Sequence, residues 1–371
     1  MDKSNLIFIH KLLKAIADAI IIVFIPLYIL KETNDFKLSV SYLIFFSLFV
    51  IFFMLILKHV IQRYGVICIM IHFIPIVIAE ALLSFLEINI ITIIFVSLLM
   101  GLQQALYSVS INILFAYSDK NNNVGKFMIA QNIGKLIFIL ASGLILSRIE
   151  NSFLFLSIAS TIFYIACMFP IIFAYKDLKN NYDNIDKTKK NIKLNKWFVV
   201  FHITFGLFQP IMDNIVPLYL FMNDLSFEAV TIFIVLIELF KIIINYISQF
   251  LVKKNKSIIC IILSFILFMA SIIIILFVKD KVILYVFSTI CALSFPLTFV
   301  PMFSIYCEYL KKNDDIFHGM TERDFEIFSL RAPMYLLSYI GFMFYPILIF
   351  GLAVVPIMFI SELKLIKNKS D

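Results

Sequence analysis

Apolar segments long enough to cross a lipid bilayer recur along this whole chain and constrain its fold more than any other feature. A membrane-spanning helix needs about 20 consecutive, mostly apolar residues. Short polar breaks separate twelve such segments: 6–30, 38–57, 66–86, 90–117, 125–147, 152–175, 197–222, 228–252, 257–278, 282–309, 325–344 and 346–361. Because the backbone must satisfy its own hydrogen bonds in hydrocarbon, each segment is predicted to be helical.

The composition supports an all-α integral membrane protein. The 371 residues are 62% hydrophobic and only 15% charged, whereas an ordinary soluble domain is about 25% charged. The net charge of +7 does not indicate nucleic-acid binding, because the basic residues are spread over many short loops. The five cysteines lie inside apolar segments without metal-ligand spacing, so no metal or other cofactor is predicted.

One long polar segment divides the chain near its middle. Residues 176–196 carry seven Lys and three Asp, with no Gly, no Pro and no apolar periodicity. Six apolar segments precede this region and six follow it. We therefore predict an N-terminal six-helix half over residues 1–175, a basic cytoplasmic linker over 176–196, and a C-terminal six-helix half over 197–371.

The distribution of basic residues predicts the topology. Cytoplasmic loops of membrane proteins are rich in Lys and Arg. With the N-terminus inside, 24 of the 31 Lys and Arg fall on the cytoplasmic side and five fall outside. The cytoplasmic group includes Lys11, Lys14, Arg323 and Arg331. Both termini and the linker are therefore predicted to be cytoplasmic, in a multi-pass protein of the plasma membrane.

A short repeat relates the two predicted halves. Residues 25–30, IPLYIL, close the first apolar segment, and residues 216–221, VPLYLF, close the seventh. Both stand at the predicted outer end of the first helix of a half. Duplicated halves around a binding site at the membrane midplane are a common plan for transporters.

Two further motifs are similar to those of a known transporter family. The loop 58–65, KHVIQRYG, is similar to a cytoplasmic Gly-Asp-Arg-Gly loop, keeping Arg63 and Gly65 but lacking the Asp. Gly134 and Gly143 are spaced like the start of a motif found in exporters. With the two halves, linker and topology, the whole chain resembles the major facilitator superfamily. That resemblance implies about twelve transmembrane helices in two pseudo-symmetric six-helix halves, with the first and seventh helices lining a cavity.

Polar residues inside the predicted helices are the candidates for function. A charge at the bilayer centre costs roughly 2.5–3.5 kcal/mol on insertion scales, so each one needs a reason. Lys14 and Asp18 share one helix face, either as a structural ion pair or as a protonatable carboxylate with its partner. Lys135 has no carboxylate in its own helix, which predicts a partner on another helix. The ten candidates for the coupling site or the substrate cavity are Asp18, Lys14, Gln103, Gln104, Asn132, Lys135, Asp213, Gln209, Glu238 and Lys241.

These features favour a secondary active transporter rather than an enzyme. The chain has no nucleotide-binding loop and no recognisable catalytic cluster. We expect proton-coupled export of a small molecule or peptide by alternating access. The protein is expected to lie in the lipid bilayer and to work as a monomer. One alternative is a permease for nutrient or metabolite uptake. Another is a membrane-embedded, lipid-modifying enzyme that would use His318 and Glu322 of the loop 310–324.

Overall fold

The computed structural model describes residues 3–118, 124–150, 152–183, 195–210, 214–222, 226–277, 281–313, 315–340 and 344–370. The regular elements in these ranges are all helical, and no β-strand occurs among them. This confirms the prediction of an all-α protein.

Within these described ranges, seven α-helices begin before the predicted linker. They are α1 (Lys3–Ile20), α2 (Ile25–Thr33), α3 (Phe36–Ile71), α4 (Phe73–Phe85), α5 (Ile90–Ser118), α6 (Val124–Arg148) and α7 (Ser152–Asp183). Eight further helices follow it. They are α8 (Lys196–Pro210), α9 (Val216–Met222), α10 (Phe227–Lys253), α11 (Ser257–Phe277), α12 (Lys281–Lys312), α13 (Ile316–Ser329), α14 (Arg331–Tyr339) and α15 (Phe344–Ser370).

The surface of the helix bundle is apolar. Phe173 of α7 is 80% exposed and Phe85 of α4 is 71% exposed, whereas Glu80 and His72 are fully buried. This arrangement reverses that of a soluble protein and suits a lipid environment. Among the described residues, four helical segments are long and apolar enough to cross a membrane: Leu6–Thr33, Phe36–Ile71, Ile90–Ala116 and Ser152–Phe173.

In both the first and the seventh predicted segments, a helix begins at the shared Pro-Leu-Tyr sequence. A single 3₁₀ turn, Ile22–Phe24, separates α1 from α2, which begins one residue before Pro26. Helix α9 likewise begins one residue before Pro217. Proline is favoured in the first turn of a helix because its missing N–H is not needed there. Helices α2 and α9 pack against each other, as expected for matching elements of two related halves.

Several pairs of helices join the N-terminal and C-terminal parts of the chain. Helix α6 packs along α10, α3 packs against α13 and α14, and α2 packs against α9. The α6–α10 contact is close, because Gly143 lies directly against the Thr231 side chain and leaves no room for a Cβ atom. The Gly125 amide also donates a hydrogen bond to Gln249 Oε1 at 2.5 Å. These contacts form the interface between the two predicted halves.

The structure extends one helix into the predicted linker. Helix α7 continues to Asp183, and the Tyr182 side chain is buried against Gly65. The predicted loop 58–65 is itself mostly helical, since α3 continues through it with a single non-helical residue at Tyr64. Near that break, the Ile61 carbonyl accepts a hydrogen bond from the Tyr182 hydroxyl at 2.5 Å. The domain boundaries at 175 and 197 remain a prediction.

The predicted loop 310–324 is also different in the structure. Residues 316–329 form helix α13, whose buried residues include Phe317, Met320, Asp324 and Ile327. These positions recur every three or four residues, so they form one buried helical face. The charged residues around 322–326 concealed this periodicity in the sequence, and the eleventh segment begins at Ile316 instead of residue 325.

Candidate functional site

A cavity of about 530 Å³ lies between the two parts of the helix bundle. Helices α1, α5 and α6 form its walls on one side, and α8, α10, α12 and α13 form them on the other. Its volume lies within the range that accommodates small-molecule ligands. Because both parts of the chain form the walls, any movement between them would change access to the cavity.

Most of the predicted site residues meet at this cavity. Seven of the ten line its wall: Lys14, Asp18, Gln104, Asn132, Lys135, Glu238 and Lys241. Gln103 is buried on α5 and does not line the cavity. Gln209 lies in α8, but the structure does not describe its side chain. Asp213 lies outside the described residues. The functional roles of all ten remain predictions.

Asp18 on α1 is held by two donors. Lys14 Nζ lies 2.8 Å from Asp18 Oδ1 and 2.7 Å from Oδ2. The Tyr164 hydroxyl, on α7, donates to Oδ1 at 2.7 Å. The Asp18 side chain is 23% exposed, so it remains reachable from the cavity. A paired carboxylate at the wall of a cavity satisfies the requirement that buried charges be compensated.

Aromatic and imidazole rings surround this ion pair. Lys14 Nζ lies 4.5 Å from the ring centroid of Tyr107, which supplies a cation–π contact. The Tyr107 ring in turn lies 4.5 Å from the His72 ring and 5.7 Å from the His10 ring. His10 is fully buried and donates to the Cys167 carbonyl at 2.6 Å. The α1 charges are thus embedded in a polar aromatic cluster and do not face lipid.

A second ion pair lies on α10. Lys241 Nζ contacts Glu238 Oε1 at 2.9 Å, as the spacing of three residues predicts. Lys135 on α6 differs, because within the described chain it makes neither a hydrogen bond nor an ion pair. The carboxylate expected for Lys135 on another helix is therefore not found there. Lys135 is thus a cation at the cavity wall that no carboxylate of the described residues contacts.

Helix α13 supplies a third ion pair that the sequence did not indicate. Arg323 Nη1 contacts Asp324 Oδ1 at 2.6 Å, and both residues line the cavity and are buried. Asn112 of α5 donates to Asp324 Oδ2 at 3.2 Å, which joins the two parts of the chain. The sequence predicts Arg323 and Arg331 on the cytoplasmic side, together with Lys11 and Lys14. All four line the cavity instead. The helical spacing of apolar residues in 316–328 could have predicted α13 from the sequence.

An aromatic column runs along α12 on the cavity wall. Phe295, Phe299 and Phe303 recur every fourth residue, and their successive ring centroids lie 5.8 and 5.3 Å apart. Phe205 of α8 adds a ring 4.8 Å from Phe295, and Phe115 of α5 adds one 6.1 Å from Phe303. The sequence could not choose these rings among the 42 Phe of the chain.

Contacts between the two parts of the chain lie toward both ends of the cavity. At the predicted outer end, Arg148 Nε contacts Glu228 Oε1 at 2.8 Å, and the Phe24 and Phe227 rings stack at 5.8 Å. At the opposite end, Asn112 bonds to Asp324 and Phe115 stacks on Phe303. Neither set is covalent, so each can separate while the other holds.

Comparison with known proteins identifies the family. A family model described as Major Facilitator Superfamily matches residues 7–314. The chain belongs to the Major Facilitator Superfamily. No curated protein matches it at a significant level. Members of the superfamily are transporters, which confirms the prediction of a multi-pass membrane transporter and excludes the lipid-modifying enzyme.

Solved structures of the superfamily share the fold at low sequence identity. A bacterial homologue of the iron transporter ferroportin, in an outward-facing state, aligns with a TM-score of 0.71 and 10% identity, over 98% of this chain and 99% of that one. A human organic anion transporter aligns at 0.67 and 9% identity, over 96% and 98%. The fucose:proton symporter of E. coli aligns at 0.61 and 13% identity, over 97% and 98%. Each alignment covers nearly the full length of both chains, so the similarity extends over the whole fold.

Proposed function

We propose that the protein is a proton-coupled secondary transporter that moves a small molecule across the plasma membrane by alternating access. The observation that carries the proposal is Asp18, a carboxylate on the cavity wall held by Lys14 and Tyr164. Such a group can accept a proton without breaking the helix that carries it. The transmembrane proton gradient would supply the energy, because Asp18 would bind a proton on one side of the membrane and release it on the other.

The proposed coupling uses the exchange of partners at Asp18. In the described arrangement the carboxylate neutralises Lys14 at 2.7 Å. Protonation removes the negative charge and weakens that ion pair, which releases the ammonium of Lys14 toward the cavity. The Tyr164 hydroxyl continues to orient the protonated carboxyl group. A proton at one atom thereby changes the net charge that the substrate meets.

The proposed conformational cycle uses the contacts at the two ends of the cavity. Opening to the outside requires the Arg148–Glu228 ion pair and the Phe24–Phe227 stack to separate. Opening to the inside requires the contact between Asn112 and Asp324 to break. The Arg148–Glu228 pair is exposed and therefore screened by solvent, so the outer contact can separate at little cost.

Export, cytoplasmic termini and a monomeric state belong to the same proposal. Export was expected from Gly134 and Gly143, but both glycines also serve close packing, against Leu12 of α1 and Thr231 of α10. The solved relatives are a homologue of an iron transporter, a fucose:proton symporter and an organic anion transporter, so they do not select one substrate for this chain. Proton-coupled uptake of a small molecule or nutrient is therefore the second candidate.

Transport by Asp18→Asn in proteoliposomes tests the proposal. Compounds that raise the melting temperature of the purified protein are first selected, and their movement is then followed by mass spectrometry with and without a pH gradient. We expect wild type to accumulate at least one such compound when a gradient is imposed. Asp18→Asn should lose this gradient-driven component, because asparagine cannot exchange a proton, while exchange down the compound's own gradient persists.

The matched control is Glu80→Gln. Glu80 is a fully buried carboxylate that accepts a hydrogen bond from Ser160 at 2.5 Å and does not line the cavity. Its neutralisation should leave gradient-driven transport close to wild type when the two proteins are compared at equal abundance. Full gradient-driven activity in Asp18→Asn would show that Asp18 is structural and would exclude the coupling mechanism.

A further inference from the structure

The charges of the cavity wall point to a class of substrate. We propose that the substrate is an organic anion with an aromatic or otherwise planar apolar body, and that Lys135 binds its anionic group. This inference rests on the proposed transport function and specifies what the cavity carries.

Cations outnumber carboxylates on the described part of the wall. Six cationic side chains line the cavity: Lys11, Lys14, Lys135, Lys241, Arg323 and Arg331. Only three carboxylates do so: Asp18, Glu238 and Asp324. Asp213 lies outside the described residues, and one further carboxylate would still leave the cations in excess. A cavity shielded from bulk water favours a ligand whose charge compensates that of its wall.

The existing ion pairs strengthen this conclusion. Each of the three described carboxylates already contacts a cation, through the pairs Lys14–Asp18, Lys241–Glu238 and Arg323–Asp324. A cationic substrate would have to break one of these pairs to gain a counter-ion. An anionic substrate need break none, because Lys135 has no hydrogen bond or ion pair in the described chain. Binding an anion there would replace solvent around the ammonium with a charge-assisted contact.

The aromatic column provides the surface for the rest of the molecule. Phe295 and Phe299 stack at 5.8 Å with an interplanar angle of 7°, and Phe205 packs against both. Parallel rings present a flat apolar wall to which a planar group can add by offset stacking. The cavity volume of about 530 Å³ accommodates a two-ring molecule with one charged group.

A series of naphthalene derivatives tests the charge preference in the wild-type protein. Equilibrium binding of tritiated naphthalene-2-sulfonate to purified protein in lipid nanodiscs is measured alone and in competition. Neutral 2-naphthylmethanol and cationic 2-naphthylmethylamine have the same ring system and serve as competitors. We expect the sulfonate to bind at least about tenfold more tightly than either competitor. The proposal is overturned if the sulfonate shows no advantage, including the case in which none of the three compounds binds.

Substitutions of lysine then test the assigned residue. Lys135→Gln should weaken sulfonate binding by about tenfold or more, since it removes the charge that pairs with the anion. Lys135→Arg keeps the charge and should bind more tightly than Lys135→Gln. Lys256→Gln makes the same change at an exposed lysine outside the cavity and should bind like wild type. Equal sulfonate affinity in wild type and Lys135→Gln would contradict the role of Lys135.

Measuring both binding and transport shows whether the substrate class or the proposed coupling mechanism fails. Preferential sulfonate binding without any gradient-driven transport would contradict the coupling mechanism while supporting the substrate class. Gradient-driven transport of a neutral or cationic compound, without sulfonate preference, would contradict the substrate class and leave the coupling mechanism in place.

Discussion

At the scale of single residues, Asp18 links proton binding to the charge of the cavity. Its carboxylate neutralises Lys14 and accepts a hydrogen bond from Tyr164. Other titratable groups around it are His10 on the same helix, Tyr107 on α5, Cys167 on α7 and His72 between α3 and α4. Tyr107 also contacts Lys14 at the cavity, but Asp18 is the carboxylate that pairs with Lys14 there.

Neutralising Asp18 should strengthen anion binding. Asp18→Asn should bind naphthalene-2-sulfonate severalfold more tightly than wild type, because its side chain no longer neutralises Lys14. Equilibrium binding of the two proteins at neutral pH measures this difference. Equal affinity in both proteins would show that Asp18 does not limit the positive charge that an anion meets.

The buried pair on α13 shows which residue-scale features the sequence hides. Asp18, Lys14, Glu238 and Lys241 were predicted from the sequence because a charge inside a long apolar segment is conspicuous. Arg323 and Asp324 lie among other polar residues and were assigned to a loop. Only the packing of α13 against α5 and α8 shows that both are buried at the cavity.

At the scale of helices, the segments could be predicted but several of their ends could not. A run of about 20 apolar residues is imposed by the bilayer thickness and is visible in the sequence. Where a helix continues into polar sequence, tertiary contacts decide. Helix α7 reaches Asp183 because Leu178 and Tyr182 pack against the protein, although the surrounding residues are charged or amidic.

The contact between α7 and α3 gives a prediction at this scale. Tyr182→Phe removes the hydroxyl that donates to the Ile61 carbonyl, and leaves a buried acceptor unsatisfied. We expect a loss of about 1–3 kcal/mol in stability, observed as a lower melting temperature in detergent. Tyr175→Phe, a partly buried tyrosine on the same helix, provides the control and should melt close to wild type. Equal melting temperatures for all three proteins would show that the hydrogen bond contributes no net stability.

At the scale of the whole molecule, the topology still rests on the distribution of basic residues. Four of the residues counted as cytoplasmic, Lys11, Lys14, Arg323 and Arg331, line the cavity. Removing them leaves twenty basic residues on the predicted inner side and five on the outer side. The bias remains strong because most basic residues lie at helix ends and in the linker.

Cysteine labelling in intact cells tests this topology. Glu32→Cys, in the exposed last turn of α2, should react with an impermeant thiol reagent added outside. Lys179→Cys, on the exposed face of the last part of α7, should react only after the membrane is permeabilised. The described native cysteines are buried, which keeps the background low. Labelling of Lys179→Cys from outside would reverse the predicted orientation.

The excess of cations on the cavity wall also has an electrical consequence. The described wall has six cations and three carboxylates. When access switches from one side of the membrane to the other, these fixed charges pass from the potential of one compartment to that of the other. Each charge contributes up to roughly 2.3 kcal/mol per 100 mV. An inside-negative resting voltage therefore favours the inward-open form of the empty carrier, and every bound anion reduces that preference by one charge.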